Sequence, residues 1–205
     1  MIPTQYKPTT ASDFIGKTQF IARKLFAKVE RVRDKPQSVR WLFTGPPGCG
    51  KTALAQGLAL ALAENSFAIE ERSGASLPVE AVRQWMDNLC YRPMVGRMGL
   101  KLINELDLLS PQAQNLLLEY LDKLPEWLGV IATSNQALDE LQPRLQSRFI
   151  PERFEKVPPV ELAGWLEITW QCPRGFAQAI ASGSKGDVRQ ALGDLESFLD
   201  SKEAA

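Results

Sequence analysis

The sequence predicts an α/β protein in which a parallel sheet lies between helices and a small all-helical domain follows. Between residues 39 and 133, short apolar runs alternate with segments of helical periodicity, and this alternation is typical of a parallel sheet built from strand–helix units. Beyond Val157-Pro158-Pro159 only helical patterns remain. We therefore expect an α/β core over residues 1–156 and a helical domain over residues 157–205.

The first predicted elements surround a glycine-rich segment. Residues 17–34 repeat apolar positions at helical spacing with basic residues between them, and Pro36 ends this helix. Val39–Thr44 is a short β-type run that stops at glycine and proline. Residues 53–63 consist almost entirely of leucine and alanine, which predicts a largely buried helix.

The remaining elements continue the alternation. Ser110-Pro111 is a typical start of a helix. The predicted strands are 67–70, 100–103 and 129–133, and the predicted helices of the core are 79–89 and 110–121. The helical domain is predicted to contain helices at 160–170, 173–181 and 187–199.

The composition excludes several classes of protein. With 44% hydrophobic and 23% charged residues, the chain resembles an ordinary globular protein. It lacks the run of about 18 apolar residues that a membrane helix needs and the apolar core of a secretory signal, so we expect a cytoplasmic protein without a membrane contact. The absence of histidine excludes imidazole acid–base catalysis. Three widely separated cysteines predict neither a disulfide framework nor a zinc site.

The net charge is zero but unevenly distributed. Residues 1–40 contain nine basic and three acidic residues, a net charge of +6, so the rest of the chain carries −6. A basic face of this kind could contact nucleic acid or an acidic neighbour. A solvated amphipathic helix explains the same pattern equally well.

One motif indicates a phosphate-binding loop of the form G-x-x-x-x-G-K-[ST]. Its residues are Gly45, Pro46, Pro47, Gly48, Cys49, Gly50, Lys51 and Thr52. Glycines let backbone N–H groups converge on phosphate oxygens, and the next helix contributes its positive N-terminal end. Lys51 is expected to reach the β- and γ-phosphates and Thr52 to ligate Mg²⁺. The sequence therefore predicts a site for ATP and Mg²⁺.

The strand predicted at 100–103 ends in Asn104-Glu105-Leu106-Asp107. A phosphate-loop protein is expected to carry at Asn104 an acid that holds Mg²⁺ through water. An amide oxygen can accept a hydrogen bond from that water but brings no charge, so we expect weaker Mg²⁺ binding and weaker stabilisation of the leaving γ-phosphate. Glu105 is the candidate for polarising the attacking water.

Taken together, these motifs resemble the AAA+ ATPases, and within them the small subunits of clamp loaders of the replication factor C type. Tyr6-Lys7-Pro8 and Asp13-Phe14-Ile15-Gly16 resemble the entry segment that lies against the adenine. The resemblance therefore implies that Tyr6, Ile15 and Gly16 contribute to nucleotide binding. It also implies that the helical domain is a lid over the nucleotide.

Three further motifs carry the resemblance. Thr133-Ser134-Asn135 resembles sensor 1, which implies that Asn135 orients the attacking water. The run from Gly186 to Leu192 resembles sensor 2, which implies that Arg189 contacts the nucleotide held by Lys51. Leu145-Gln146-Ser147-Arg148-Phe149 resembles the motif whose arginine reaches the γ-phosphate of the neighbouring subunit. This implies a homo- or hetero-oligomer with Arg148 acting in trans, and Arg144 is an alternative for that role.

The chain also departs from the clamp-loader pattern. That family places a small polar residue after its second strand to restrain the catalytic glutamate, and the segment 70–76 does not indicate which residue has this role. The helical collar that joins clamp-loader subunits does not follow the lid, so the resemblance predicts a collar on another chain or assembly through the ATPase faces alone. Arg83 resembles a position that contacts DNA phosphates in clamp loaders.

Three functional hypotheses follow. The first is an oligomeric ATPase that couples ATP binding and hydrolysis to loading or remodelling a DNA-replication, repair or recombination partner, such as a clamp or a helicase. The second is an ATP-gated assembly module with little or no hydrolysis, which Asn104 favours. The third is a regulator of helicase loading or transposition.

Overall fold

The structure is a computed structural model that describes residues 3–203. Its strands are β1 (Val39–Thr44), β2 (Ile69–Ser73), β3 (Gly99–Asn104), β4 (Leu128–Ser134) and β5 (Ile150–Arg153). They form one sheet in the order β2-β3-β4-β1-β5, and all paired strands are parallel. This confirms the predicted fold class.

Helices cover both faces of the sheet and continue beyond it. They are α1 (Gly16–Asp34), α2 (Lys51–Ala63), α3 (Val79–Asp87), α4 (Pro111–Asp122), α5 (Pro143–Gln146), α6 (Pro159–Trp170), α7 (Arg174–Gly183) and α8 (Val188–Glu203). No helix among the described residues is long and apolar enough to cross a membrane.

The two faces of the sheet are buried in two separate apolar clusters, because successive side chains of a strand point to opposite faces. On β1, Trp41 and Phe43 join the cluster formed with α1 and α2. Leu42, between them, joins the cluster formed with α3, α4 and α5. Helices on both faces are what buries an all-parallel sheet.

The register brings the ends of neighbouring strands together. Thr44 at the end of β1 pairs with Ser134 at the end of β4, and Ser73 at the end of β2 pairs with Asn104 at the end of β3. The segments that follow these four strands therefore meet at one edge, the carboxyl edge, where ligands of open α/β sheets bind.

The three last helices form a third apolar cluster, which includes Leu162, Leu166 and Leu195. This cluster is separate from the two clusters of the sheet and begins at Val157. The division into domains of 1–156 and 157–205 stays a prediction. Residues 1–2 and 204–205 of those ranges lie outside the described residues.

Two parts of the core differ from the sequence prediction. The second strand occupies Ile69–Ser73 rather than 67–70, because residues Ser66–Ala68 form a 3₁₀ turn in which the Asn65 side chain accepts a hydrogen bond from the Phe67 amide. The strand Ile150–Arg153 and the short helix Pro143–Gln146 were not predicted. This strand lies at the sheet edge and buries only Glu152, so it lacks the apolar alternation that identifies a strand.

Candidate functional site

The glycine-rich loop after β1 needs its glycines for backbone conformation and space. Gly45, Gly48 and Gly50 have φ angles of 139°, 74° and 90°, a region that side chains disfavour. A β-carbon on Gly45 would lie 2.3 Å from the carbonyl oxygen of Phe154. Helix α2 begins at Lys51, directly after the loop, so its free N–H groups face the space that the loop encloses.

The ammonium group of Lys51 is buried at the centre of this loop. It donates hydrogen bonds of 2.7 Å to the carbonyls of Gly45 and Pro46 and of 3.0 Å to Oδ1 of Asn135. Burial lowers the pKa of Lys51, and the positive charge of Arg189 lowers it further. An anion placed between these two cations would therefore be stabilised, which suits a phosphate group.

Polar groups at the end of β3 hold one another in place. The side-chain amide of Asn104 donates to Oε1 of Glu71 at 2.6 Å, while its oxygen accepts from the Thr133 hydroxyl at 3.3 Å. The backbone amide of Glu105 donates to the same hydroxyl at 3.3 Å. Glu105 has a left-handed backbone with a φ of 55°, which turns the chain away from the strand direction.

The structure identifies a polar contact to Glu105 that sequence reasoning left open. The hydroxyl of Ser73 lies 3.5 Å from Oε2 of Glu105, at the long limit of a hydrogen bond. Ser73 is the last residue of β2 and pairs with Asn104. The signal that would have found it is the register of β2 against β3, which a single sequence does not show.

Most of the predicted nucleotide-site residues line one cavity of about 430 Å³. Those residues are Tyr6, Ile15, Pro47, Gly48, Cys49, Gly50, Lys51, Thr52, Asn104, Glu105, Asn135 and Arg189. Gly45 and Pro46 are outside the lining and contact Lys51 through their carbonyls. Gly16 also lies outside it, with Glu161 and Val157 as its neighbours. The roles of these residues stay predictions.

One end of the cavity is aromatic and apolar. The Tyr6 ring makes edge-to-face contacts with Trp165 and Trp170, with centroid distances of 5.9 and 5.7 Å. Burial raises the pKa of the Tyr6 phenol, and the charge of Asp13 adds to this. Ile15 and Leu192 also line this cavity. Trp165 was missed by sequence reasoning because it comes from the distant helix α6.

The start of α8 lies directly against the phosphate loop. The backbone amide of Val188 donates a hydrogen bond of 2.9 Å to the carbonyl of Gly48. This contact places the next residue, Arg189, in the cavity lining together with Lys51.

Arg148 lies away from this cavity. Its guanidinium forms a two-point ion pair with Asp122, with distances of 2.9 and 2.8 Å, and donates to the Arg144 carbonyl at 3.1 Å. The hydrogen bond from Arg148 lowers the pKa of Asp122 and, in turn, raises the pKa of Arg148. Arg83 is likewise remote from the cavity and pairs with Glu80 on an exposed face of α3.

The oxygen atoms at the cavity suit a magnesium ion that arrives with a nucleotide. Among the described residues, no group of three or more His, Cys, Asp or Glu side chains is placed to hold a metal by itself. The Thr52 hydroxyl, the Asn104 amide and the Glu105 carboxylate line the cavity. Mg²⁺ prefers such oxygen ligands and takes most of its remaining ones from phosphates and water.

Comparison with known proteins assigns the chain to a family. Residues 41–156 match the model of the ATPase family associated with various cellular activities (AAA). The chain is 29% identical to DNA polymerase III subunit tau/gamma of Haemophilus influenzae over 66% of this chain and 22% of that protein. It is 24% identical to replication factor C subunit 3 of Schizosaccharomyces pombe, over 94% of this chain and 57% of that protein.

Solved structures show the same fold. The RuvB Holliday junction branch migration motor of Thermotoga maritima superposes with a TM-score of 0.68 and 24% identity, covering 91% of this chain and 62% of that one. A DNA polymerase III gamma subunit-related protein of the same organism superposes with a TM-score of 0.62 and 17% identity, covering 83% and 56%. The chain thus spans less than two thirds of the length of these relatives. With its phosphate loop at the carboxyl edge of a five-stranded parallel sheet, the chain belongs to the AAA family of ATPases and is clamp-loader-like.

Proposed function

We propose that the chain binds ATP with Mg²⁺ and hydrolyses it as one subunit of a homo- or hetero-oligomer. Binding and hydrolysis would then drive the loading or remodelling of a partner in DNA replication, repair or recombination. The observation that carries this proposal is the buried ammonium of Lys51, which lies 3.0 Å from Asn135 in a cavity that Glu105 and Arg189 also line. These groups are the parts that phosphoryl transfer requires: phosphate-binding cations and a carboxylate for the attacking water.

In this proposal the Thr52 hydroxyl and, through water, the Asn104 side chain would hold Mg²⁺. The bound ion would neutralise charge that develops on the phosphate oxygens. Lys51 and Arg189, which both line the cavity, would bind the phosphates. Glu105 accepts a proton from the attacking water, and Asn135 orients that water.

The position of Arg148 supports an oligomer. Arg148 is outside the cavity of its own chain, and its side chain is 29% exposed. A neighbouring subunit could receive it, and a rigid guanidinium is suited to bind charge spread over phosphoryl oxygens. Names of the relatives, which include replication factor C and a branch migration motor, support a partner in DNA metabolism.

Asn104 favours a second candidate function. Without a carboxylate at this position, ATP would be bound but turned over slowly, and the nucleotide would act by stabilising an assembled state. In that case a partner would recognise the assembled, ATP-bound state, and its response would not depend on hydrolysis.

The experiment that tests both candidates measures binding of a fluorescent ATP analogue and ATP turnover at rising protein concentration. For an oligomeric ATPase, turnover per subunit rises with concentration. Lys51→Ala then loses binding, whereas Arg148→Ala keeps binding and loses turnover. Arg92→Ala, which removes an exposed arginine paired with Glu126, is the matched control and keeps both.

Each outcome decides between the candidates. Concentration-dependent turnover that Arg148→Ala abolishes supports the ATPase. Nucleotide-dependent oligomers without turnover support the assembly module. A chain that binds no nucleotide at any concentration contradicts both.

A further inference from the structure

Glu71 on β2 contacts Asn104, the residue that stands where the family pattern has an acid. Its Oε1 accepts the hydrogen bond of 2.6 Å from the Asn104 side-chain amide. Its two carboxylate oxygens also accept from Nε2 of Gln56 at 3.0 and 3.1 Å. Glu71 is outside the lining of the nucleotide cavity, whereas Asn104 is part of it.

Gln56 connects Glu71 and Asn104 to Thr52, the other residue proposed to hold Mg²⁺. It follows Thr52 by four residues on α2, and residues at this spacing lie on the same face of a helix. Glu71 therefore joins the helix that carries Thr52 to the strand that carries Asn104.

We infer that Glu71 is a positioning residue that orients the Asn104 amide and supplies the negative charge missing from the end of β3. This inference rests on the proposed binding of ATP with Mg²⁺. Its basis is the chemistry of the amide, which donates through nitrogen and accepts through oxygen.

Only one orientation of the amide satisfies both neighbours. Glu71 is a carboxylate and accepts only from the nitrogen, while the Thr133 hydroxyl donates to the oxygen at 3.3 Å. A flipped amide would bring its oxygen against the Glu71 carboxylate and leave both without a proton to share. In the observed orientation, the Asn104 oxygen keeps a second lone pair for a water bound to a cation. The ionised partner also polarises the amide.

The pair consists of one carboxylate and one amide, and its two members are exchangeable in principle. Asn104→Asp alone would place a second carboxylate against Glu71, and like charges at this distance repel. Asn104→Asp combined with Glu71→Gln would restore one carboxylate and one amide with their places exchanged. We therefore expect the thermal stability of the double variant to lie closer to that of the original chain than the stability of Asn104→Asp does.

The test uses the whole chain and a non-hydrolysable fluorescent ATP analogue, titrated with Mg²⁺ and separately in excess EDTA. The readout is the Mg²⁺ concentration at half-maximal enhancement of binding. Replacing a residue that supports a metal ligand from outside usually costs about 10- to 100-fold in metal affinity, so Glu71→Gln should raise this concentration at least about tenfold. Binding in EDTA should stay unchanged. Glu119→Gln on α4, which removes an exposed carboxylate paired with Lys123, should change neither.

Thermal unfolding in EDTA gives a second readout that needs no nucleotide. Asn104→Asp should lower Tm because of the facing carboxylates, and adding Glu71→Gln should restore it. If Glu71→Gln fails to fold by itself, the double variant still tests the exchange.

The inference is overturned if Glu71→Gln changes the Mg²⁺ dependence no more than Glu119→Gln does. It is also overturned if Glu71→Gln weakens binding equally in Mg²⁺ and in EDTA, because the effect is then a general structural one. A failure of this kind leaves analogue binding by the original chain intact. A failure of the proposed function, in contrast, appears as no binding by the original chain, and the inference then falls with it.

Discussion

Gly48 in the phosphate loop and Asp187 before α8 are in such close contact that a β-carbon on Gly48 would lie 1.9 Å from Oδ1 of Asp187. The Asp187 side chain also accepts a hydrogen bond of 3.0 Å from the Gln190 amide, as a residue before a helix commonly does. The glycine therefore allows the helix that carries Arg189 to approach the loop that carries Lys51.

Gly48→Ala should weaken both stability and nucleotide binding. The left-handed backbone at Gly48 costs a side chain about 1–2 kcal/mol, and the overlap with Asp187 adds about 1–3 kcal/mol. Thermal unfolding and analogue binding measure the two effects. Gly164→Ala on α6 is the control, because a β-carbon there meets nothing within 4 Å. It should leave Tm equal or higher, and an equal loss in both variants would contradict the close contact.

Arg148 should act on the nucleotide of a neighbouring subunit. We expect Lys51→Ala and Arg148→Ala each to lose turnover, by about 10³-fold for the arginine. Mixing the two variants in equal amounts should restore about a quarter of the original rate, since one interface in four then pairs an intact phosphate loop with an intact arginine across a head-to-tail contact. ATPase assays of the mixture measure this. A mixture as inactive as its components would show that Arg148 does not act in trans.

Ser73→Ala should raise basal ATP turnover. The contact of 3.5 Å between the Ser73 hydroxyl and Glu105 holds the carboxylate toward β2, and loss of one hydrogen bond is worth about 0.5–1.5 kcal/mol. We therefore expect an increase of about two- to tenfold, with unchanged nucleotide binding. Ser76→Ala, which removes a nearby exposed hydroxyl bonded to the Ser73 carbonyl, is the control. A fall in turnover for Ser73→Ala would show that the hydroxyl supports rather than restrains Glu105.

Glu70 should make stability depend on pH in the acid range. Burial alone would raise the pKa of Glu70, but hydrogen bonds from Lys101 at 2.6 Å and from Trp85 at 3.0 Å help to bring the pKa below its ordinary value. A carboxyl group with a lowered folded-state pKa stabilises the protein above its unfolded-state pKa of about 4. This stabilisation is lost as the pH falls through the lower folded-state pKa.

The measurement compares thermal unfolding of the original chain and Glu70→Gln from pH 7 to pH 3. At pH 7 the variant should be less stable by about 1 kcal/mol, a value reduced by solvent because Glu70 is about one third exposed. The difference should shrink toward pH 3. A difference that does not vary with pH would contradict the role of the charge.

Arg83 should contribute to any affinity for DNA. Its side chain is 62% exposed and pairs at 3.2 Å with Glu80, whose side chain is 71% exposed. If Arg83 contacts phosphates, Arg83→Ala weakens binding equally for different DNA sequences. It also reduces the slope of log K against log salt concentration by about one, because one fewer counterion is released. Glu80→Gln should strengthen binding by removing the competing acid. DNA titrations at several salt concentrations decide this, and unchanged slopes would remove Arg83 from the interface.

Short-range patterns were sufficient to predict the fold class and the phosphate loop. Strand periodicity in Val39–Thr44 and the leucine-rich helix after Thr52 depend on neighbours within a few residues, and so does the backbone freedom of Gly48. Residues such as Lys51 and Asn135 could be expected to meet because both follow strands of one parallel sheet, whose carboxyl ends share an edge. In the structure, Nζ of Lys51 and Oδ1 of Asn135 lie 3.0 Å apart.

Other parts of the site depend on strand register and helix docking, which one sequence does not encode in any local pattern. The contacts of Ser73 with Glu105 and of Glu71 with Asn104 join residues 32 and 33 positions apart, and a shift of β2 by one residue would send both side chains to the other face. The contact of Tyr6 with Trp165 requires α6 to pack beside the N-terminal segment. The sequence by itself thus determined the fold class and the phosphate-binding motif, whereas the tertiary structure alone decided which polar side chains hold Asn104 and Glu105 in place.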